Sequence, residues 1–572
     1  MKRLMLCNEA IARGAYEAGV KVISSYPGTP STEITEFAAK YQEIYCEWAP
    51  NEKVAVETAI GASIAGVRSM ACMKHVGVNV AADPLFTASY TGVNGGFVLV
   101  VADDPSMHSS QNEQDSRNYA VAAHIPMLEP SDSMEAKEFI KLGYEISEEY
   151  DTPVLVRLTT RVAHSQSIVE EDRRSERADS VYVKDISKYV MMPSQARGRR
   201  VVVDARERKL AFDVNGSATN IIEERSKKIG IVCAGAVYQY VKEATDASLF
   251  KTGFVYPLPL EAIRKFASSV DELIVAEELG PFIENQLKVA GIKCRGEDIF
   301  GTQGELSVAY VRARLYDKSA PINEFKSPNR PPVMCAGCPH RGVFYILKKI
   351  GAVVSGDIGC YTLGAAPPLG ALDMCVCMGA SIGMAHGFDK ARSPVSKKVV
   401  AVIGDSTFVH SGVTGIINAV YNKGDSTIVI LDNSITGMTG HQQNPATGIT
   451  LKGEATNKLD LMALVLACGV TSAVSVDAYD LVALEKTLRE EMSKKGVSVI
   501  IAKRPCALLS KQYPAPYKVD SDKCKKCKAC LKIGCPAIFN SDLVRISKEH
   551  CVGCGVCAKL CSFDAITQTR SV

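Results

Sequence analysis

Short apolar runs alternate with longer amphipathic stretches along most of this 572-residue chain. "VKVISSYPGTP" is an apolar run that stops at a Gly/Pro loop. "NEKVAVETAIGASIAGVRSMACM" is an alanine-rich helical pattern that leads into another strand. "GGFVLVVADDP" is an unbroken apolar run ending in two acidic residues, and "TPVLVRLTTR" is a further run of the same kind. β-Branched runs with no polar alternation, separated by helical patterns, predict strands covered on both faces of a parallel sheet. The chain therefore reads as α/β.

The pattern divides the chain. Residues 1–180 form a first α/β domain. The highly charged, weakly periodic stretch from about 166 to 225, with "VEEDRRSERAD" and "QARGRR", predicts a linker, assigned to 181–225. "KKIGIVCAGAVYQYVKEA" opens a second α/β unit over 226–320, and "SAPINEFKSPNRPPV" marks the next boundary. A third unit covers 333–510, after which "KQYPAPYKV" tethers a cysteine-rich tail at 519–572. A length this great exceeds a single core. A net charge of +3 argues against a dedicated nucleic-acid or membrane binder. No apolar run is long enough for a transmembrane helix, and the N-terminal apolar run stops at Asn8, too early for a signal peptide. Twenty cysteines without an export signal predict a reducing compartment, hence the cytoplasm.

The tail carries the clearest chemistry. Cys524, Cys527, Cys530 and Cys535-Pro536, then Cys551, Cys554, Cys557 and Cys561, approximate the paired runs of bacterial two-cluster ferredoxins. The gap before Cys535 has four residues where three are usual, and Ser562 stands where proline is usual. In such runs the fourth ligand comes from the other motif. Cys524, Cys527, Cys530 and Cys561 are thus assigned to one [4Fe–4S] cluster, and Cys551, Cys554, Cys557 and Cys535 to the second. Zinc is the competing reading, disfavoured by eight cysteines in two triplet-plus-one runs. The run "KCKKCKACLK" is a solvated basic surface that also suits an acidic partner.

A second constellation lies in "GDSTFVHSGVTGIINAVYNKGDSTIVILDN", Gly404 to Asn433. Two strand ends on one sheet edge bring a carboxylate and an amide oxygen to one point, where α/β sheets bind ligands, and oxygen donors suit Mg2+. The segment resembles the diphosphate motif of thiamine diphosphate enzymes, with Ser406 replacing a glycine and Asp432 an asparagine. The resemblance implies Asp405, Asn433 and the main-chain oxygen of Ile435 as Mg2+ ligands, beside Gly404 and Ser406. Glu52 in "APNEKVAVE" matches the glutamate that in such enzymes faces the aminopyrimidine ring, with Glu57 a competitor. Glu52 also reads simply as a carboxylate at a helix N-terminus.

Further motifs narrow the resemblance. "SSYPGTPSTEI" is similar to a loop of 2-oxoacid:ferredoxin oxidoreductases whose threonine, here Thr29, touches the substrate carboxylate. It also reads as a loop before a helix capped by Ser31. Lys74 and His75 in "MKHVGVNVAADP" sit at a strand end where either faces substrate or packs. "MCAGCPHRG", "SGDIGCYTLG" and "RPCALL" place Cys335, Cys338, Cys360 and Cys506 in the order that in this family holds a third [4Fe–4S] cluster. Packed thiols in glycine-rich loops are the alternative. Cys375 and Cys377 read as buried small residues, and Met378 or a neighbour in "CMGASIGMAHG" as a wedge under the thiazolium. The remaining cysteines read as core thiols.

Across its whole length the chain resembles the alpha subunits of indolepyruvate:ferredoxin oxidoreductases. That resemblance implies pyrimidine- and diphosphate-binding thiamine domains, a transketolase-C-terminal-like domain and a two-cluster ferredoxin domain of α+β type. It implies oxidative decarboxylation of aryl pyruvates with coenzyme A and ferredoxin to aryl-acetyl-CoA, CO2 and reduced ferredoxin. Glu52, Thr29 and His75 would be the catalytic residues, and a smaller beta subunit would complete an α2β2 assembly. A non-redox thiamine-dependent decarboxylase would share Glu52, Asp405 and Asn433 but have no use for the tail. A non-catalytic electron-transfer subunit would need the tail alone.

Overall fold

Seven strands form the main sheet of the first half of the chain, in the order Phe254–Tyr256, Met127–Leu128, Val154–Thr159, Phe97–Asp103, Ser69–Lys74, Val22–Ser25, Tyr45–Trp48. Their pairings are parallel except at the Phe254–Tyr256 edge. Phe97–Asp103 and Val154–Thr159 are buried at every position, as strands covered on both faces must be. The computed structural model describes residues 1–316, 331–392 and 394–569. Their arrangement falls into two compact units, Met1–Lys326 and Ser327–Val572.

The first unit departs from the expected boundaries. The stretch expected to be a charged linker contains a 21-residue helix, Pro193–Asp213, whose Val203, Arg206 and Leu210 are buried. Arg206 donates to the carbonyls of Asp151 and Ser89 at 2.8 and 2.9 Å, so a charged residue supplies part of the inward stripe. Ile221–Glu223 is a strand, paired antiparallel with Ser248–Lys251 in a second, four-stranded sheet. Gln166–Glu170 pairs antiparallel with Lys2–Leu6 and closes the N-terminal end. The strand Phe254–Tyr256, expected in a separate domain, joins the first sheet beside Met127–Leu128. One apolar core accordingly includes Leu99 and Val101 together with Val232, Phe250 and Ile263. Most of the boundary segment "SAPINEFKSPNRPPV" lies outside the described residues.

The second unit holds an all-parallel sheet in the order Val353–Ser355, Val399–Gly404, Thr427–Asp432, Ser498–Lys503, Ser472–Asp477. Its tail is two antiparallel strand pairs, Tyr517–Val519 with Ile566–Gln568 and, between them in sequence, the hairpin Ile538–Asn540 with Val544–Ile546. Ile533 and Val556 of the tail pack into the core that contains Phe344, Val402 and Leu431. Among the described residues no helix is long and apolar enough to cross a membrane.

Candidate active site

In the first unit the predicted residues collect at the carboxyl ends of parallel strands, where α/β sheets bind ligands. Glu52 is the first residue of the helix Glu52–Ile64, which Asn51 caps by accepting from the Val54 amide at 3.0 Å. Its side chain is buried against Gly77: a Cβ there would stand 2.6 Å from Glu52 Cγ and 2.8 Å from Oε1. Gly77 therefore leaves the space that the carboxylate occupies.

Thr29 lies in the loop after Val22–Ser25. Ser31 does not cap the following helix with its side chain; its hydroxyl instead donates to the Gly28 carbonyl at 2.8 Å and tightens the loop. Gly28 rests on Lys74, with 3.1 Å from a Cβ position to Lys74 Cβ. Lys74 Nζ donates to the Ser109 carbonyl at 2.6 Å, and burial lowers its pKa to about 8. His75 is fully buried, with Nε2 3.3 Å from the Asn112 carbonyl oxygen, and burial lowers its pKa. Lys74 carries a partly desolvated ammonium beside the Thr29 loop, and both neighbours hold the loop that follows Asp104. That loop is also tied by Asp104, which accepts from Ser109 N at 2.8 Å and Thr160 Oγ1 at 2.7 Å. At its far end buried Arg117 pairs with Asp115 at 2.8 Å and Glu277 at 2.6 Å.

In the second unit the strand Val399–Gly404 passes directly into helix at Asp405. A π-turn at Phe408–Gly412 follows, a distortion found often at functional sites. Asp405 is buried and accepts from the amides of Ser406 at 2.8 Å and Ser434 at 3.0 Å. The Asn433 amide lies against Asp405 Oδ1 at 3.2 Å and the Ile435 carbonyl oxygen at 2.8 Å; with its nitrogen turned to them it donates to both, and with its oxygen turned to them it adds an acceptor beside theirs. Burial, then the nearby Asp432 charge, pushes Asp405 up to about 8, and a hard cation bound to its carboxylate would favour the ionised form. These residues fit a magnesium-held diphosphate. Asp432, at the substituted asparagine position, accepts from Ser434 N and Oγ at 3.0 and 3.1 Å and so shares that amide with Asp405.

Gly404 is required for space, because a Cβ there would lie 2.7 Å from the Tyr361 ring. Tyr361 and Thr407 both donate to the Ile358 carbonyl, at 2.8 and 3.1 Å, and join the Cys360 loop to the helix start. Asp357, which the sequence reading passed over, is the other organiser of this loop. One oxygen accepts from Ile358 N and Gly379 N at 2.9 and 2.8 Å, the other from Ser381 N at 3.0 Å. It fixes the turn that carries Met378, whose carbonyl also accepts from Ser411 Oγ at 3.1 Å. Met378 is half-buried. Cys377 is exposed and Cys375 only partly buried, so the expectation that both are packed core thiols is corrected: their turn lies on the surface. Of the other scattered thiols, Cys7, Cys46, Cys72, Cys233 and Cys294 are buried as expected, and Cys468 partly so.

The twelve proposed ligand cysteines gather into the three expected sets. Cys360 feels Cys506 and Cys335, and Cys338 feels Cys360 and Cys335; burial pushes these two thiols up to about 11 and about 12. Cys506 N donates to the Asn433 carbonyl at 2.9 Å. A Cβ on Gly437 would sit 3.5 Å from Cys360 Sγ and 3.6 Å from Asn433 Nδ2, so this first set adjoins the Asp405–Asn433 oxygens. Cys535, Cys551, Cys554 and Cys557 surround a hollow also lined by Cys338 and Arg341. Cys524, Cys527, Cys530 and Cys561 surround another, and Cys530 is a neighbour of Cys557. Backbone amides of Tyr517 and Ala565 donate to Cys551 and Cys561 sulfurs at 3.4 Å, as thiolates require. Among the described residues no group of three His, Cys, Asp or Glu side chains is arranged for a single metal ion. A cluster holds its thiolates further apart than one ion does, and thiols this buried become thiolates when metal compensates them.

Known proteins resemble this chain along its length. Family models match at 13–223 (pyruvate flavodoxin/ferredoxin oxidoreductase, thiamine diphosphate-binding), 357–502 (thiamine pyrophosphate enzyme, C-terminal binding domain) and 544–567 (4Fe-4S binding domain). The indolepyruvate oxidoreductase subunit IorA of Archaeoglobus fulgidus is 40% identical over 100% of this chain and 98% of its own. That of Pyrococcus abyssi is 39% identical over 99% and 97%. A solved 2-oxoglutarate:ferredoxin oxidoreductase from Magnetococcus marinus matches 55% of this chain and 64% of its own, at 17% identity and a TM-score of 0.47. Whole-length identity at this level, on a chain with thiamine-binding and iron–sulfur domains, shows that this protein belongs to the indolepyruvate oxidoreductase A-subunit family of thiamine diphosphate-dependent 2-oxoacid oxidoreductases.

Proposed function

We propose that the chain oxidatively decarboxylates aryl pyruvates, passing electrons through three [4Fe–4S] clusters to ferredoxin. The observation that carries this reading is the series of thiol sets, which begins beside the Asp405–Asn433 oxygens and ends at the exposed Cys527. A non-redox decarboxylase has no use for such a series. A pure electron-transfer subunit has no use for buried Glu52 or for the buried Asp405–Asn433 pair beside the Ile435 carbonyl.

Bound thiamine diphosphate supplies a carbon nucleophile and an acceptor for the electron pair freed when CO2 leaves. Asp405, Asn433 and the Ile435 carbonyl would hold Mg2+ on the diphosphate, with Gly404 and Ser406 beside it. Glu52 would share a proton with the aminopyrimidine, and Met378 would support the thiazolium. Thr29 and the Lys74 ammonium would meet the substrate carboxylate, and His75 would hold their surrounding loop. Cys335, Cys338, Cys360 and Cys506 would take the electrons first, one at a time. The balance is a 2-oxo acid carboxylate, coenzyme A and two oxidised ferredoxins giving an acyl-CoA, CO2, two reduced ferredoxins and one proton. A beta subunit would complete the enzyme, by analogy with the subunit naming of the relatives, in the α2β2 assembly that the family resemblance implies.

The substrate assignment is tested by kcat/KM of the complete enzyme for indolepyruvate, phenylpyruvate, pyruvate and 2-oxoglutarate. The aryl acids should lead by at least about 100-fold, the discrimination that a fitted apolar pocket provides. A lead for pyruvate or 2-oxoglutarate would overturn the aryl assignment and leave the oxidoreductase chemistry standing.

A further inference from the structure

The extra residue in the tail's C-x4-C gap finds its place at Arg341. This guanidinium is buried, at 4% exposure, three residues beyond Cys338. It faces two cysteine-bearing segments at once. Nε donates to the Cys335 carbonyl at 3.0 Å and Nη2 to that of Met334, both on the first cysteine loop. Nη1 donates to the Ile533 carbonyl at 3.2 Å and to that of Gly534, immediately before Cys535. Gly534 has φ +67°, and a Cβ on it would lie 2.9 Å from Pro368 Cδ and 3.2 Å from Arg341 Nη1. The left-handed residue turns two successive carbonyls toward one fork. The titratable neighbours of Arg341 are the thiols Cys335, Cys338, Cys535 and Cys554, two from each set.

We propose that Arg341 is a positioning residue that clamps the ferredoxin-like tail onto the first cysteine loop and places a fixed positive charge between the first and second clusters. The proposal rests on the three-cluster reading above. Arg suits this place because its planar fork serves acceptors on both sides and it stays charged when buried, whereas a lysine ammonium presents a single point charge. All four acceptors are carbonyls, so no carboxylate neutralises the charge. Cluster potentials respond to nearby charge and to hydrogen bonding. A cation shared by two clusters raises both potentials and leaves the Cys524–Cys527–Cys530–Cys561 cluster at its own value. Tyr479 adds a second stitch, its hydroxyl donating to the Gly337 carbonyl while its own carbonyl accepts from Lys559 Nζ at 2.9 Å.

The test is an anaerobic redox titration, followed by electron paramagnetic resonance, of the complete enzyme carrying Arg341→Gln or Arg341→Lys. Iron is counted in each preparation. Arg341→Gln should move two of the three cluster potentials to more negative values and leave the third in place. Arg341→Lys should restore most of the shift while loosening the tail, read as faster proteolytic cleavage in residues 510–519. If Arg341→Gln loses iron, Arg341→Lys decides the charge role: two potentials close to the parent's support it. Unchanged potentials in Arg341→Gln with full iron, or equal shifts in both variants, would overturn it. A parent protein with iron for two clusters only would instead defeat the three-cluster reading.

Discussion

Replacing Asp405 with asparagine is expected to abolish turnover while making the cofactor-free protein more heat-stable. Asp405 is buried and its ionised form is disfavoured, with a pKa of about 8. The ordinary carboxylate value is near 4. Between the two the unfolded chain gives up the Asp405 proton while the folded chain keeps it. This group's contribution to stability therefore falls as pH rises through that window. An asparagine of the same shape removes the slope, worth on the order of a few kcal/mol at neutral pH. Magnesium and thiamine diphosphate reverse the ranking, because a divalent cation stabilises the ionised carboxylate and ligand binding stabilises the fold. Affinity for the cofactor should drop by more than about 100-fold in Asp405→Asn, since even partners behind a metal ligand cost 10–100-fold. Thermal denaturation with and without Mg2+ and thiamine diphosphate reads both effects: the parent's midpoint rises on addition, and the variant's does not. A variant that still responds to cofactor would remove Asp405 from the metal site.

Glu52→Gln should lower kcat by about 10²–10⁴-fold, the range for losing a proton-transfer group, with thiamine and iron contents unchanged. The amide keeps the shape and burial of the side chain but not its acid–base function. Gly77→Ala provides an independent arm that leaves Glu52 intact. Its added methyl would lie 2.6 Å from Glu52 Cγ, against the helix Glu52–Ile64, and must displace the carboxylate. A misplacement of about 1 Å at a reacting group costs on the order of 100-fold. Full turnover in both variants would transfer the role to another residue, Glu57 first among them.

The strands and the cysteine sets were readable from sequence because each rests on a local signal. Phe97–Asp103 is apolar throughout until its final residue, and the tail motifs have fixed spacings. The helix Pro193–Asp213 was not, because its inward stripe is narrow and one of its members is arginine; hydropathy cannot count Arg206 as core until its carbonyl partners are known. The strands Met127–Leu128 and Phe254–Tyr256 are two and three residues long, too short for a period, so the sharing of one sheet across an expected boundary left no trace. Among the candidate residues, Asp405, Asn433 and Glu52 were singled out through their motifs. Asp357 and Arg341 were not, since both act on main-chain groups distant in sequence: Gly379 and Ser381 for one, Ile533 and Gly534 for the other. The four-residue gap before Cys535 did hint at Arg341, but a gap has no partner until the chain is folded.

The central claim is that a 2-oxo acid decarboxylated at thiamine delivers electrons into these cysteine-bound clusters. Anaerobic visible spectroscopy of the chain with its partner subunit tests it most directly, before and after adding indolepyruvate and coenzyme A. Partial bleaching of the broad iron–sulfur absorbance, dependent on thiamine diphosphate and lost in Glu52→Gln, is the predicted result. An unchanged spectrum with indolepyruvate and every other 2-oxo acid, in protein shown to contain clusters and thiamine, would contradict the account.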